Sequence, residues 1–178
     1  MKHIPNVLTI TNMMLGLASV LFLLQVNHPH KPLIVTSFIL LGGVVDFFDG
    51  FLARKLNAVT EIGKQLDSFA DLITFGIAPV ALVNYLGNWG HSVLIITSSL
   101  LFVAAGAYRL ARYNLGDFSD YFMGLPITIA GMILAVYGGA VLSRGSAMYL
   151  HAGGVATAVL LLVLSLMMVS RVKMKRIG

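Results

Sequence analysis

Apolar residues fill this chain in long, nearly unbroken stretches, at approximately 8–27, 33–54, 67–87, 91–113, 122–143 and 149–170, with short polar breaks between them. A hydrocarbon core about 30 Å thick is crossed by about 20 residues of helix, so each stretch has the length of a membrane span. The pattern predicts an all-α integral membrane protein with six transmembrane helices. The connections are short and no linker, low-complexity tract or internal repeat intervenes, so residues 1–178 read as one domain. The first stretch is span-length and lacks a clear cleavage site, and therefore reads as a mature helix rather than a signal peptide.

Composition agrees with the pattern. Of the chain, 58% is hydrophobic and 11% charged, with a mean hydropathy of +0.89, against about 25% charged in soluble domains. Cysteine is absent, which removes thiol nucleophiles, disulfides and thiolate metal sites. The net charge of +5 has no aromatic-basic interleaving behind it, so a nucleic-acid partner is not expected. Its distribution reports topology instead. With the N-terminus inside, all but Lys31 and Arg144 of the 12 Lys and Arg residues fall on the cytoplasmic side. That asymmetry places both termini in the cytoplasm.

The seven acidic residues share that side, and four of them interrupt the apolar pattern. Asp46 and Asp49 are three apart near the end of the second span; Asp67 and Asp71 are four apart at the start of the third. Each pair lies on one helix face, and a short loop between the spans makes the helices antiparallel neighbours, so the four carboxylates converge. An Asp at mid-helix in a bilayer costs about 2.5–3.5 kcal/mol on insertion scales. Clustered negative charges repel as well, and divalent cations relieve both costs. Carboxylates without His or Cys nearby suit Mg²⁺, Mn²⁺ or Ca²⁺, and four of them suit two ions. Gly50 and Ala53 follow on the Asp46 face, Gly63 stands one turn before Asp67, and Arg54 at the helix end and Lys64 in the loop carry the charge to meet phosphates. The bland alternative is that the aspartates are solvated interfacial charges paired with Arg54, Lys55 and Lys64.

As a pattern, D-x2-D-G-x2-A-R-x8-G-x3-D-x3-D is matched at Asp46, Asp49, Gly50, Ala53, Arg54, Gly63, Asp67 and Asp71. It resembles the signature of the CDP-alcohol phosphatidyltransferase family, and the six-span architecture extends the resemblance over essentially the whole chain. The resemblance implies transfer of a phosphatidyl group from a CDP-linked lipid to an alcohol, with release of CMP. It implies that Asp46, Asp49, Asp67 and Asp71 bind two divalent metals, Mg²⁺ or Mn²⁺ or Ca²⁺, with Asp71 also the catalytic base. It implies that Gly50, Ala53, Arg54 and Gly63 hold the CDP group, and that the protein is a homodimer.

The flanks bear on the alcohol. "FGIAP", "GAYRLARYN" and "YFMGLPITIAG" resemble segments of the serine-using branch, implying CDP-diacylglycerol and L-serine as substrates. Arg109 and Arg112 are three apart on one face and suit the serine carboxylate; interfacial positive-inside residues are the alternative. Gly124, Pro126 and Gly131 open the fifth span as pocket or packing residues. "IPNVLTITNMMLG" resembles the family's first helix, and its stripe of Asn6, Thr9 and Asn12 reaches the cytidine or phosphates, or else caps and bridges helices. Transfer to another alcohol, such as inositol phosphate or glycerol phosphate, stays open. So does a divalent-cation transporter, which would distribute acidic residues through the membrane depth.

Overall fold

The structure, a computed structural model, describes residues 4–56, 59–87, 92–115, 121–141, 147–170 and 173–175. They form helices α1 (Ile4–Gln25), α2 (Lys31–Lys55), α3 (Glu61–Asp71), α4 (Ala78–Leu86), α5 (Val93–Leu115), α6 (Ile127–Val136) and α7 (Ala147–Val169). A π-helical segment, Leu72–Ile77, joins α3 to α4 into one continuous rod, and a second, Tyr137–Val141, extends α6. The rods correspond to the six expected stretches. Four of them, Pro5–Gln25, Lys31–Lys55, Glu61–Leu86 and Val93–Leu115, are long and apolar enough to cross a bilayer, while Ile127–Ala140 and Gly153–Val169 are shorter apolar helices.

Local sequence sets the helix ends near the site. Arg54 and Lys55 occupy the last turn of α2, where positive charge meets the carbonyl end of the helix dipole. Thr60 caps α3: its Oγ1 accepts from the Gly63 N–H at 3.0 Å, and Glu61 sits in the first turn. Because α3 starts at Glu61, Lys64 lies inside a helix rather than in a loop, where it pairs with Glu61 at 3.4 Å.

A second correction concerns the start of the fifth span, which follows a small two-stranded ribbon in the otherwise all-helical fold. Tyr121–Met123 is a short strand, β1, paired antiparallel with β2, Lys173–Lys175. The fifth helix therefore begins at Ile127, after Pro126 as its N-cap. Gly124 makes the turn between them with φ +71, a conformation that disfavours any residue with a Cβ.

The core joins Val35 and Ile39 of α2, Phe75 of the π segment, Leu82 of α4, Phe102 of α5, Ile127 and Leu134 of α6, and Leu161 and Met168 of α7. Large apolar side chains on the outer faces, such as Val93, Leu100 and Leu166, are exposed as a bilayer requires. Small residues bring backbones together where the rods cross. A Cβ at Gly131 of α6 would collide with the Phe75 carbonyl oxygen and stand 2.6 Å from Phe75 Cα, which places Gly131 in packing rather than in a pocket. Gly131→Ala is expected to destabilise the fold by about 1–3 kcal/mol through overpacking, read as a lowered thermal midpoint in detergent; an unchanged midpoint would contradict this contact.

α1 packs along both α2 and α3, and α5 along α7. α2 meets the third rod along its π segment and α4, so the two aspartate-bearing rods are neighbours as expected, and the site lies where their carboxylates face each other beside α1.

Candidate active site

α2 contributes Asp46 and Asp49, and α3 contributes Asp67 and Asp71. One carboxylate oxygen from each of Asp46, Asp49 and Asp67 lies within 4.8 Å of the others. Asp71 stands beside this trio, within side-chain hydrogen-bonding reach of Asp46. Asp49 and Asp71 are buried, and Asp49 Oδ2 and Asp71 Oδ1 have no hydrogen-bond partner. Unpartnered buried acceptors are expensive, and a hard cation is the partner that carboxylate oxygens alone would satisfy. The donor set therefore fits a divalent metal.

Solvated ion pairing does not describe these groups. Among the described residues the ion pair formed in this region is Lys64 with Glu61, not a pair with any of the four aspartates.

A cavity of about 360 Å³ opens beside the trio. On the α2 wall it is lined by Asp49, Gly50, Ala53 and Arg54, and on the α3 wall by Gly63, Lys64 and Asp67. Asn6 and Thr9 of α1 form its floor with Pro5. Every residue expected at the CDP group is thus on one cavity. Thr9 donates to the Pro5 carbonyl at 3.0 Å and is within hydrogen-bonding reach of Asp49. Space at position 63 is tight: a Cβ there would stand 3.0 Å from Thr60 Oγ1 and 3.3 Å from Asn6 Oδ1, and one of them would have to shift.

The fourth wall was not expected. Tyr113, Asn114 and Leu115, at the end of α5, also line the cavity, and Asn114 Nδ2 donates to Ser68 Oγ at 2.9 Å, one residue from Asp67. A signal for it exists in the sequence: the fourth span ends on the same side of the membrane as the aspartates, and its last turn is polar.

The two arginines of α5 occupy different places. Arg109 is buried, within electrostatic reach of Asp71, and its Nε has no partner. Arg112 turns to the end of α7, where Nη1 donates to the Val169 carbonyl at 3.3 Å and Nη2 to that of Ser170 at 3.5 Å. Its guanidinium also lies 5.9 Å from the Tyr108 ring centroid. Asp117 and Asp120 lie outside the described residues.

Comparison with known proteins agrees with this geometry. The family model for CDP-alcohol phosphatidyltransferase matches residues 2–175. Curated relatives with the name CDP-diacylglycerol–serine O-phosphatidyltransferase include one from Bacillus subtilis strain 168, 40% identical over 137 residues that cover 76% of this chain and 75% of the relative. One from Saccharomyces cerevisiae is 35% identical over 75% of this chain and 53% of the relative. One from Methanocaldococcus jannaschii is 38% identical over 55% of this chain and 47% of the relative. The matched part therefore spans three quarters of the Bacillus relative and about half of the other two. With two carboxylate-bearing helices, the small residues between them and a match over nearly its full length, the chain belongs to the CDP-alcohol phosphatidyltransferase family.

Proposed function

We propose that this protein is a CDP-diacylglycerol–serine O-phosphatidyltransferase of phospholipid biosynthesis. The observation that carries the proposal is the single cavity shared by Asp49, Asp67, Gly50, Ala53, Arg54 and Gly63, a surface with room and charge for a nucleoside diphosphate. The names of the relatives support serine as the acceptor.

In this reading the cytidine and ribose enter along Gly50, Ala53 and Gly63, where missing side-chain bulk admits them, with Asn6 and Thr9 beneath. Arg54 meets the phosphates. Asp46, Asp49, Asp67 and Asp71 would hold divalent cation, Mg²⁺, Mn²⁺ or Ca²⁺. Bound cation supplies charge stabilisation for the diphosphate and for CMP as it departs.

Serine lies between Arg109 and Asp71. The buried guanidinium takes the serine carboxylate, a group that glycerol phosphate and inositol phosphate lack. Asp71 Oδ1, which has no other partner, accepts the hydroxyl proton. The serine oxygen then bonds to the lipid-linked phosphorus as the bond from that phosphorus to the CMP oxygen breaks. Arg112, engaged with α7, is the weaker candidate for the same carboxylate.

The active site belongs at the cytoplasmic face of a multi-pass membrane protein, which the distribution of Lys and Arg supports; there the diacylglycerol tails stay in the bilayer while CDP and serine stay wet. A homodimer is part of the proposal and rests on family membership.

Incubating the purified protein with CDP-diacylglycerol and Mn²⁺ and supplying serine, glycerol phosphate or inositol phosphate in turn tests the acceptor. Serine-dependent CMP release is expected; release driven only by another alcohol would sink the assignment. Ala53→Leu extends bulk into the cavity and is expected to raise the KM for CDP-diacylglycerol at least about 10-fold, the cost of misfit by a few methylenes, with the KM for serine unchanged. An unaltered CDP-diacylglycerol KM would remove Ala53 from the nucleotide wall.

A further inference from the structure

Asn12 of α1 is 0% exposed, and it touches Asp46 in one half of the carboxylate cluster and the turn that follows the other half. Its Nδ2 donates to Asp46 Oδ1 of α2 at 3.4 Å. Its backbone carbonyl accepts from Thr74 Oγ1 of the π segment at 2.9 Å, and Thr74, itself fully buried, is three residues beyond Asp71. The orientation of the amide follows from charge, because the reverse flip would set Oδ1 against a carboxylate.

Glycines clear the space around this point. A Cβ at Gly42 of α2 would stand 2.9 Å from Asn12 Oδ1 and 2.7 Å from Thr74 Cγ2. One at Gly16 of α1 would stand 2.7 Å from Thr74 Cα. Three helical segments therefore converge at this point, and Asn12 bridges α2 and the π segment that follows α3. Thr74 lies in the π segment that follows Asp71, and such segments recur at functional sites.

We propose that Asn12 is a positioning residue that holds Asp46 and the Asp71 turn in register for cation binding. The proposal rests on the metal site described under Proposed function. A carboxylate that must present one oxygen to a cation gains from a fixed donor on its other contacts, and loss of such outer partners costs about 10–100-fold in metal affinity or activity. Asn12 does not line the cavity, and in the proposed reading serine is bound through Arg109, so its effect falls on the metal and not on the binding of nucleotide or serine.

The test is Mn²⁺ titration of the purified protein in detergent, followed by the electron paramagnetic resonance of free Mn²⁺, with serine KM measured at saturating Mn²⁺. Asn12→Leu, of similar size without the amide, is expected to weaken Mn²⁺ binding about 10–100-fold and to leave serine KM unchanged. Gly42→Ala keeps the amide but crowds it, and is expected to weaken binding in the same direction by less. Mn²⁺ affinity equal to that of the unaltered protein, in Asn12→Leu or, where that variant does not fold, in Gly42→Ala, overturns the role of Asn12. If the unaltered protein binds no Mn²⁺, the metal site falls and this role with it.

Discussion

Asp71→Asn is expected to lower serine-dependent CMP release by about 10²–10⁴-fold, the range in which a positioned general base contributes. Asn matches Asp in size, so the buried position beside Asp46 is kept while the proton acceptor is lost. Asp67→Ala is expected to lose at least as much turnover for a different reason, the removal of one of three oxygens gathered within 4.8 Å. Mn²⁺ binding separates the two. Asp71→Asn retains binding at the Asp46, Asp49 and Asp67 trio, whereas Asp67→Ala loses most of it. A chelator should silence the unaltered protein and Mn²⁺ should restore it. Turnover of Asp71→Asn close to that of the unaltered protein would remove the residue from base catalysis.

The carboxylate cluster is legible in the sequence because a bilayer makes polar residues conspicuous. Asp46, Asp49, Asp67 and Asp71 stand out against an apolar background, and spacings of three and four place each pair on one helix face. What spacing cannot say is what sets the approach of α2 to the third rod. A short connection implies adjacency, but adjacency of two rods depends on a third, α1, and on glycines at 16 and 42 whose shared partner, Thr74, is distant in sequence from both. Such contacts have no local signature.

The π segment is only half visible. Leu72–Ile77 contains Gly76 and is followed by Pro79, which has no N–H to give the Phe75 carbonyl, so an irregularity is signalled there, but its form as a π turn is not written in those residues. Similarly, the polar stripe of Asn6, Thr9 and Asn12 is visible as a stripe, but its division of labour is not. Asn6 and Thr9 line the cavity while Asn12 is sealed behind Asp46. Burial decides between those outcomes, and burial is a property of neighbours. The end of α5 shows the limit from the other side: "YRLARYN" is conspicuous, yet Tyr113 and Asn114 face the cavity, Arg109 is buried near Asp71 and Arg112 ties down α7.

That last separation carries the second large effect. Arg109→Leu is expected to raise the serine KM at least about 30-fold, since truncating one partner of a buried, hydrogen-bonded charge pair costs about 2–5 kcal/mol. The reason is the cost of burial: a guanidinium at 7% exposure with Nε unpartnered is unfavourable unless an anion arrives to complete it. In the proposed reading serine brings a carboxylate of matching two-point geometry, with its hydroxyl toward Asp71. Arg109→Lys should not restore the KM, because an ammonium lacks the planar fork. Arg112→Gln should leave the serine KM unchanged and lower the thermal midpoint instead, because its hydrogen bonds go to the carbonyls of Val169 and Ser170. The reverse pattern, with Arg112→Gln raising the KM and Arg109→Leu leaving it unmoved, would transfer the carboxylate to Arg112 and require α7 to release it when serine binds.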